Sequence, residues 1–140
     1  MGRIKFIILV LTLSLFCCSD NPNSDEQNYF DLGKKFSINF GETLYHNTVN
    51  LSIKFDSLIG DSRCPVDVVC VWEGDAEIKL KFSANSIYND FTLHTNKAYF
   101  NANTTLLDYK IELLDLLPYP NTEIQHLITQ YEAEIVISPQ

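Results

Sequence analysis

The run Ala76-Glu77-Ile78-Lys79-Leu80-Lys81-Phe82 alternates apolar and charged residues without a break. A period of two places every apolar side chain on one face and every charge on the other, which an extended strand does and a helix does not. The pattern recurs at Phe36, Ile38 and Phe40, at Leu51, Ile53 and Phe55, at Phe91 and Leu93, and at Tyr131, Ala133, Ile135 and Ile137. One dry and one wet face per strand is what antiparallel sheets show when two of them pack together. Asn, Asp, Gly and Ser clusters punctuate the runs. The spacing predicts an all-β fold, an antiparallel β-sandwich of about 7–8 strands.

Two segments fit less simply. In residues 104–117, Tyr109, Ile111 and Leu113 alternate as a strand, while Leu107, Ile111 and Leu114 suit a helix. We expect a strand over about 109–116 with a bulge at the Leu113-Leu114 phase slip. After Pro118-Tyr119-Pro120, the spacing of Ile124, Leu127, Ile128 and Tyr131 predicts a short helix near 122–129, with Asn121 or Thr122 as cap.

The first residues belong to no core. Arg3 and Lys5 precede an apolar run over 6–16, too short to span a bilayer comfortably, and then come Cys17 and Cys18. This resembles a bacterial lipoprotein signal, in which the first residue after cleavage is a lipid-bearing cysteine. Leu15-Phe16-Cys17-Cys18 favours Cys18 as the anchor, with Cys17 the alternative. The resemblance implies a signal peptide over 1–17 and a cell-envelope protein held by its lipid, preferably to the outer membrane. Residues 19–28 contain no Leu, Ile, Val or aromatic and are expected to be a tether. A single domain is expected over 29–140. Removal of 1–17 leaves eight basic and eighteen acidic residues, a net charge of −10. Such a surface repels nucleic acid.

Cys64 and Cys70 bracket five residues that begin with Pro65. Outside the cytoplasm a disulfide between them persists. A structural zinc site would need four ligands, typically with cysteines two to four residues apart, and no histidine lies within fifteen residues. A thioredoxin-like site would need Cys-x-x-Cys beside a βαβ unit. A catalytic cysteine would need a base and a depressed pKa, which Asp61 and Asp67 oppose. The disulfide is the reading we adopt. Asp61, Asp67, Glu73 and Asp75 could offer oxygen to calcium, but no calcium-loop pattern is present. Trp72 reads as a core anchor.

Asp61-Ser62-Arg63-Cys64-Pro65, then Cys70-x-Trp72-x-Gly74, resembles a family of uncharacterised bacterial envelope proteins sharing an Asp-Ser-Arg-Cys-Pro…Cys-x-Trp-x-Gly loop. The resemblance implies a secreted β-rich domain and no particular activity.

No G-x-S-x-G, H-E-x-x-H or phosphate-binding glycine motif occurs. His46, His94 and His126 are scattered, and Glu132 and Glu134 are spaced for one wet strand face. The expectation is a lipid-anchored, non-enzymatic binding or assembly module with no cofactor and no metal, meeting an envelope protein through Asp61, Arg63 and Glu73. The alternatives are a metal-dependent hydrolase and an inhibitor or immunity-like protein with an acidic face.

Overall fold

The computed structural model describes residues 28–140. Residues 1–27, on which the expected signal peptide, the expected lipid anchor at Cys18 or Cys17 and most of the expected tether fall, lie outside the described residues. Nine strands form two sheets: β1 (Tyr29–Phe30), β2 (Lys35–Asn39), β3 (Thr43–His46), β4 (Leu51–Asp61), β5 (Ala76–Ala84), β6 (Ile87–His94), β7 (Asn103–Leu106), β8 (Tyr109–Leu117) and β9 (Glu132–Pro139). The first sheet has the order β1-β3-β4-β5-β6 and the second β2-β9-β8-β7. All pairs are antiparallel except β1 with β3.

The alternating residues do what their period demands. Ile53, Phe55, Ile78, Leu80, Phe82 and Leu93 from the first sheet meet Ile38, Ile111, Leu113, Leu116, Ile135 and Ile137 from the second in one buried cluster. Each such side chain contributes about 1.5–3 kcal/mol by leaving water. The two sheets are stitched where the chain crosses between them: Phe40 N donates to Tyr131 O (2.8 Å) and Gly41 N to Phe55 O (2.8 Å).

Three details refine the expectations. The strand count is nine. The doubtful segment resolves into two strands, β7 and β8, joined by a two-residue turn at Leu107 and Asp108 with φ of 51° and 68°. The register of β8 slips between Leu113 and Asp115, so a bulge does absorb the phase change at Leu114. Near 122–129 the chain forms only a 3-10 turn, Ile128–Gln130. Ile124, Leu127 and Ile128 are exposed, so no apolar stripe is buried that could support a longer helix.

Candidate functional site

β4 and β5 run out at the same end of the sandwich, where Asp61 pairs with Ala76. The loop between them is the cysteine loop. It continues the ladder beyond the strands, with Ser62 N donating to Asp75 O (2.7 Å) and Cys64 N to Glu73 O (2.8 Å). Cys64 and Cys70 are disulfide-bonded, with Cα atoms 5.9 Å apart. Closing a seven-residue ring removes unfolded-state entropy worth about 2–2.5 kcal/mol. The double variant Cys64→Ala/Cys70→Ala should therefore melt roughly 10 °C lower. A melting point unchanged within a degree or two would show that the bond adds nothing to the folded state.

Gly74 closes the loop at a φ of +74° against the backbone of Ser62 and Arg63. Asn96, from the loop after β6, donates its Nδ2 to Gly74 O (2.9 Å). Asp75 is held by Asn96 N (2.9 Å), Thr95 Oγ1 (3.3 Å) and His94 Nδ1 (2.7 Å), and His94 stacks on Phe100.

Beneath the loop is a buried ion pair. The side chains of Arg63 and Asp61 are only 5% and 7% exposed. Arg63 Nε and the terminal nitrogen Nη2 donate to the two oxygens of Asp61 at 2.8 and 2.7 Å. Nη1 donates to Leu116 O and Nη2 also to Pro118 O (2.8 Å), so the guanidinium fastens the loop to the end of β8. The ring of Tyr119 lies against it, 4.5 Å from ring centroid to Cζ. Tyr131 donates its hydroxyl to Asp61 Oδ2 (3.1 Å). Burial opposes the Arg63 charge, yet the hydrogen bonds and field of Asp61 outweigh it and hold the guanidinium above its ordinary pKa. Burial, then the nearby Asp61 charge, pushes the Tyr131 phenol up, so it remains a donor.

This geometry revises the residues singled out for a partner. Asp61 and Arg63 are spent on each other and on two backbone carbonyls, and they do not form a free surface. Of the three, Glu73 alone is exposed. Trp72, expected in the core, is 58% exposed, because β5 begins at Ala76 and the residues before it follow the ring outward. Asp67 accepts from the Thr122 hydroxyl and from Thr122 N (3.0 Å), which holds its carboxyl below the usual range and latches the ring to the 118–131 segment. Val66 N adds a bond to Pro120 O (3.0 Å).

Of the four acids suggested for calcium, Asp61, Asp67 and Asp75 are taken up by other partners and Glu73 is exposed, and among the described residues no three His, Cys, Asp or Glu side chains assemble as a metal-ligating group. His46 accepts from Thr48 N and Val49 N, whereas His126 Nε2 meets Tyr119 O, so the histidines do not converge. Glu134 pairs with Lys35 (2.8 Å) on the outer face of the second sheet.

Above the ion pair the surface is apolar. Val69 and Val71 are fully exposed, and Val66, Val68, Trp72, Tyr99, Phe100, Tyr119, Ile124, Leu127 and Ile128 join them on the loops of this end. The alternating pattern could not reveal this patch, because these residues lie between the periodic runs. Clefts of about 310 and 370 Å³ flank it, one walled by Arg63, Glu73, Asn96 and Tyr119, the other by Asp61, Thr122, His126 and Tyr131. Exposed carboxylates of Asp67, Glu73 and Glu123 rim the patch.

Fold and site together define a two-sheet all-β domain with a disulfide-closed, ion-pair-anchored apolar end. Comparison with protein-family profiles, with curated proteins and with solved structures found no match.

Proposed function

We propose that the protein is a lipid-anchored cell-envelope module that binds a protein partner through the apolar end of its sandwich and performs no catalysis itself. The observation that carries this reading is the fixed exposure of Val69, Val71 and Trp72 on a ring held by a disulfide and a buried ion pair. Large apolar side chains held in water gain by burial against a partner, and rigid anchors bind with little ordering entropy. The carboxylate rim favours a partner whose apolar cleft is edged by Lys or Arg. The leader resembling a lipoprotein signal, and a disulfide that persists in an oxidising compartment, support the location. The Asp-Ser-Arg-Cys-Pro loop supports the same reading, since its resemblance implies a secreted domain.

The test is cross-linking in the cell of origin from a photoreactive group at position 69 or 71, followed by reconstitution with the purified partner. Trp72→Ala and Val69→Asp should each weaken binding about tenfold or more. Their melting curves should stay close to that of the parent, since neither side chain supports the core. Unchanged affinity in both variants would remove this end of the sandwich as the contact.

A further inference from the structure

The outer face of the first sheet carries a second, separate feature. Register places Tyr29 beside Tyr45, Tyr45 beside Ser52, Ser52 beside Ser83, and Ser83 beside Tyr88. Directly paired residues project to the same face, so one row crosses all five strands with tyrosines at its ends and two serines in the middle. Tyr45 and Tyr88 are 47% and 78% exposed, three strand intervals or about 14 Å apart. Ser83, although it faces outward, is only 8% exposed. It lies low in a cleft of about 300 Å³ whose walls include Tyr45 and Tyr88.

The next row adds charge. Thr43, Lys54, Lys81 and Asp90 follow one another across four strands. Lys81 pairs with Asp56 (2.8 Å) and, on the same face, Lys79 pairs with Asp90 (3.0 Å). Lys54 lines the cleft and makes no ion pair among the described residues. Its charge acts on the nearby Asp56 carboxyl, which Lys81 holds, so around the cleft three lysines, Lys54, Lys79 and Lys81, outnumber two aspartates, Asp56 and Asp90, in a chain of net charge −8. The Ser52 and Ser83 hydroxyls likewise bond to no other described side chain or backbone group. The outer face of the second sheet, by contrast, shows Lys35, Ser37, Glu132, Glu134, Lys110 and Glu112 and no aromatic.

We propose that this cleft binds an acidic oligosaccharide. The chemistry matches group by group. Tyrosine offers a flat apolar ring and a hydroxyl at small entropic cost, and serine offers adaptable hydrogen bonds. A sugar chain presents apolar C–H faces to the rings and hydroxyls to the serines. Its carboxylate meets the Lys54 ammonium. A hydrocarbon ligand would leave the two hydroxyls and the ammonium desolvated and unpaired. A small inorganic anion would use the lysine and leave the tyrosine walls idle.

The site is independent of the apolar end and of the partner proposed there. The test is titration of the whole protein with an oligogalacturonate, and with a neutral cello-oligosaccharide of the same length as comparison. The acidic chain should bind saturably and at least about tenfold more tightly than the neutral one. Tyr45→Ala and Tyr88→Ala should each weaken it about tenfold, while Tyr88→Phe retains most of the affinity. Lys54→Gln should erase the preference for the acidic chain, and added salt should do the same. Melting points of all four variants stay near the parent's, which separates lost binding from lost folding. No saturable binding at millimolar sugar, equal binding of both chains, or indifference to the tyrosine variants would each overturn the proposal.

Discussion

Arg63→Ala lowers the free energy of unfolding by about 3–5 kcal/mol, read from urea denaturation with the slope unchanged. The size follows from what is left behind. Asp61 stays buried with its carboxylate stripped of two charge-assisted bonds, and the carbonyls of Leu116 and Pro118 lose their donor. Arg63→Lys recovers only part of this, because an ammonium is a point charge and cannot fork across a carboxylate while reaching two carbonyls. A double variant, Asp61→Leu with Arg63→Met, costs less than the sum of its two single changes, because no orphaned charge remains. A loss below about 1 kcal/mol for Arg63→Ala would mean that water replaces the guanidinium freely and that the pair does not anchor the loop. With the anchor gone, the Val69–Trp72 surface also loses its fixed geometry, so partner binding falls with stability in this variant. That coupled loss distinguishes it from Trp72→Ala, where binding alone should fall.

Gly74→Ala has an effect of similar size for a steric reason. A Cβ built there would sit 2.0 Å from Ser62 O and 2.8 Å from Arg63 Cα, at a φ of +74°. The obstacle is backbone, so nothing can swing aside, and the loop must give up the Ser62–Asp75 and Cys64–Glu73 bonds to make room. We expect a loss of about 3 kcal/mol or more, from the left-handed backbone and overpacking together. Gly41→Ala is the control. Its φ is +81° but no atom lies within 4 Å of the added methyl, so only the conformational cost of about 1–2 kcal/mol applies. Equal melting points for the two variants would show that the close approach at Gly74 is relaxed in solution.

The sandwich was legible wherever burial was periodic. Ile78, Leu80 and Phe82 must share a face once the segment is extended, and a dry face must be covered. The bulge in β8 was legible for the same reason, since two adjacent leucines break a period of two. The turn at Leu107-Asp108 was not. Leucine at a positive φ is no turn signal, and what makes it tolerable is its packing against the core cluster. The helical spacing after Pro120 misled because it was local. Of its four apolar residues only Tyr131 reaches the core, while Ile124, Leu127 and Ile128 stay exposed, so no buried stripe forms to support a helix.

The site divides in the same way. The cysteine pair could be read from spacing and its inferred compartment, because ring closure depends on the chain alone. The burial of Asp61 and Arg63 could not, since it depends on the carbonyls of Leu116 and Pro118, more than fifty residues away in the chain. The Tyr-Ser-Ser-Tyr row depends likewise on the register of four strands. Local periodicity and local covalent geometry are properties of the chain, so the sequence by itself determined the strands and the staple. Which polar groups are buried, and which apolar ones are left in water, is decided by distant neighbours, so only the tertiary structure settled the anchor, the exposed end and the cleft.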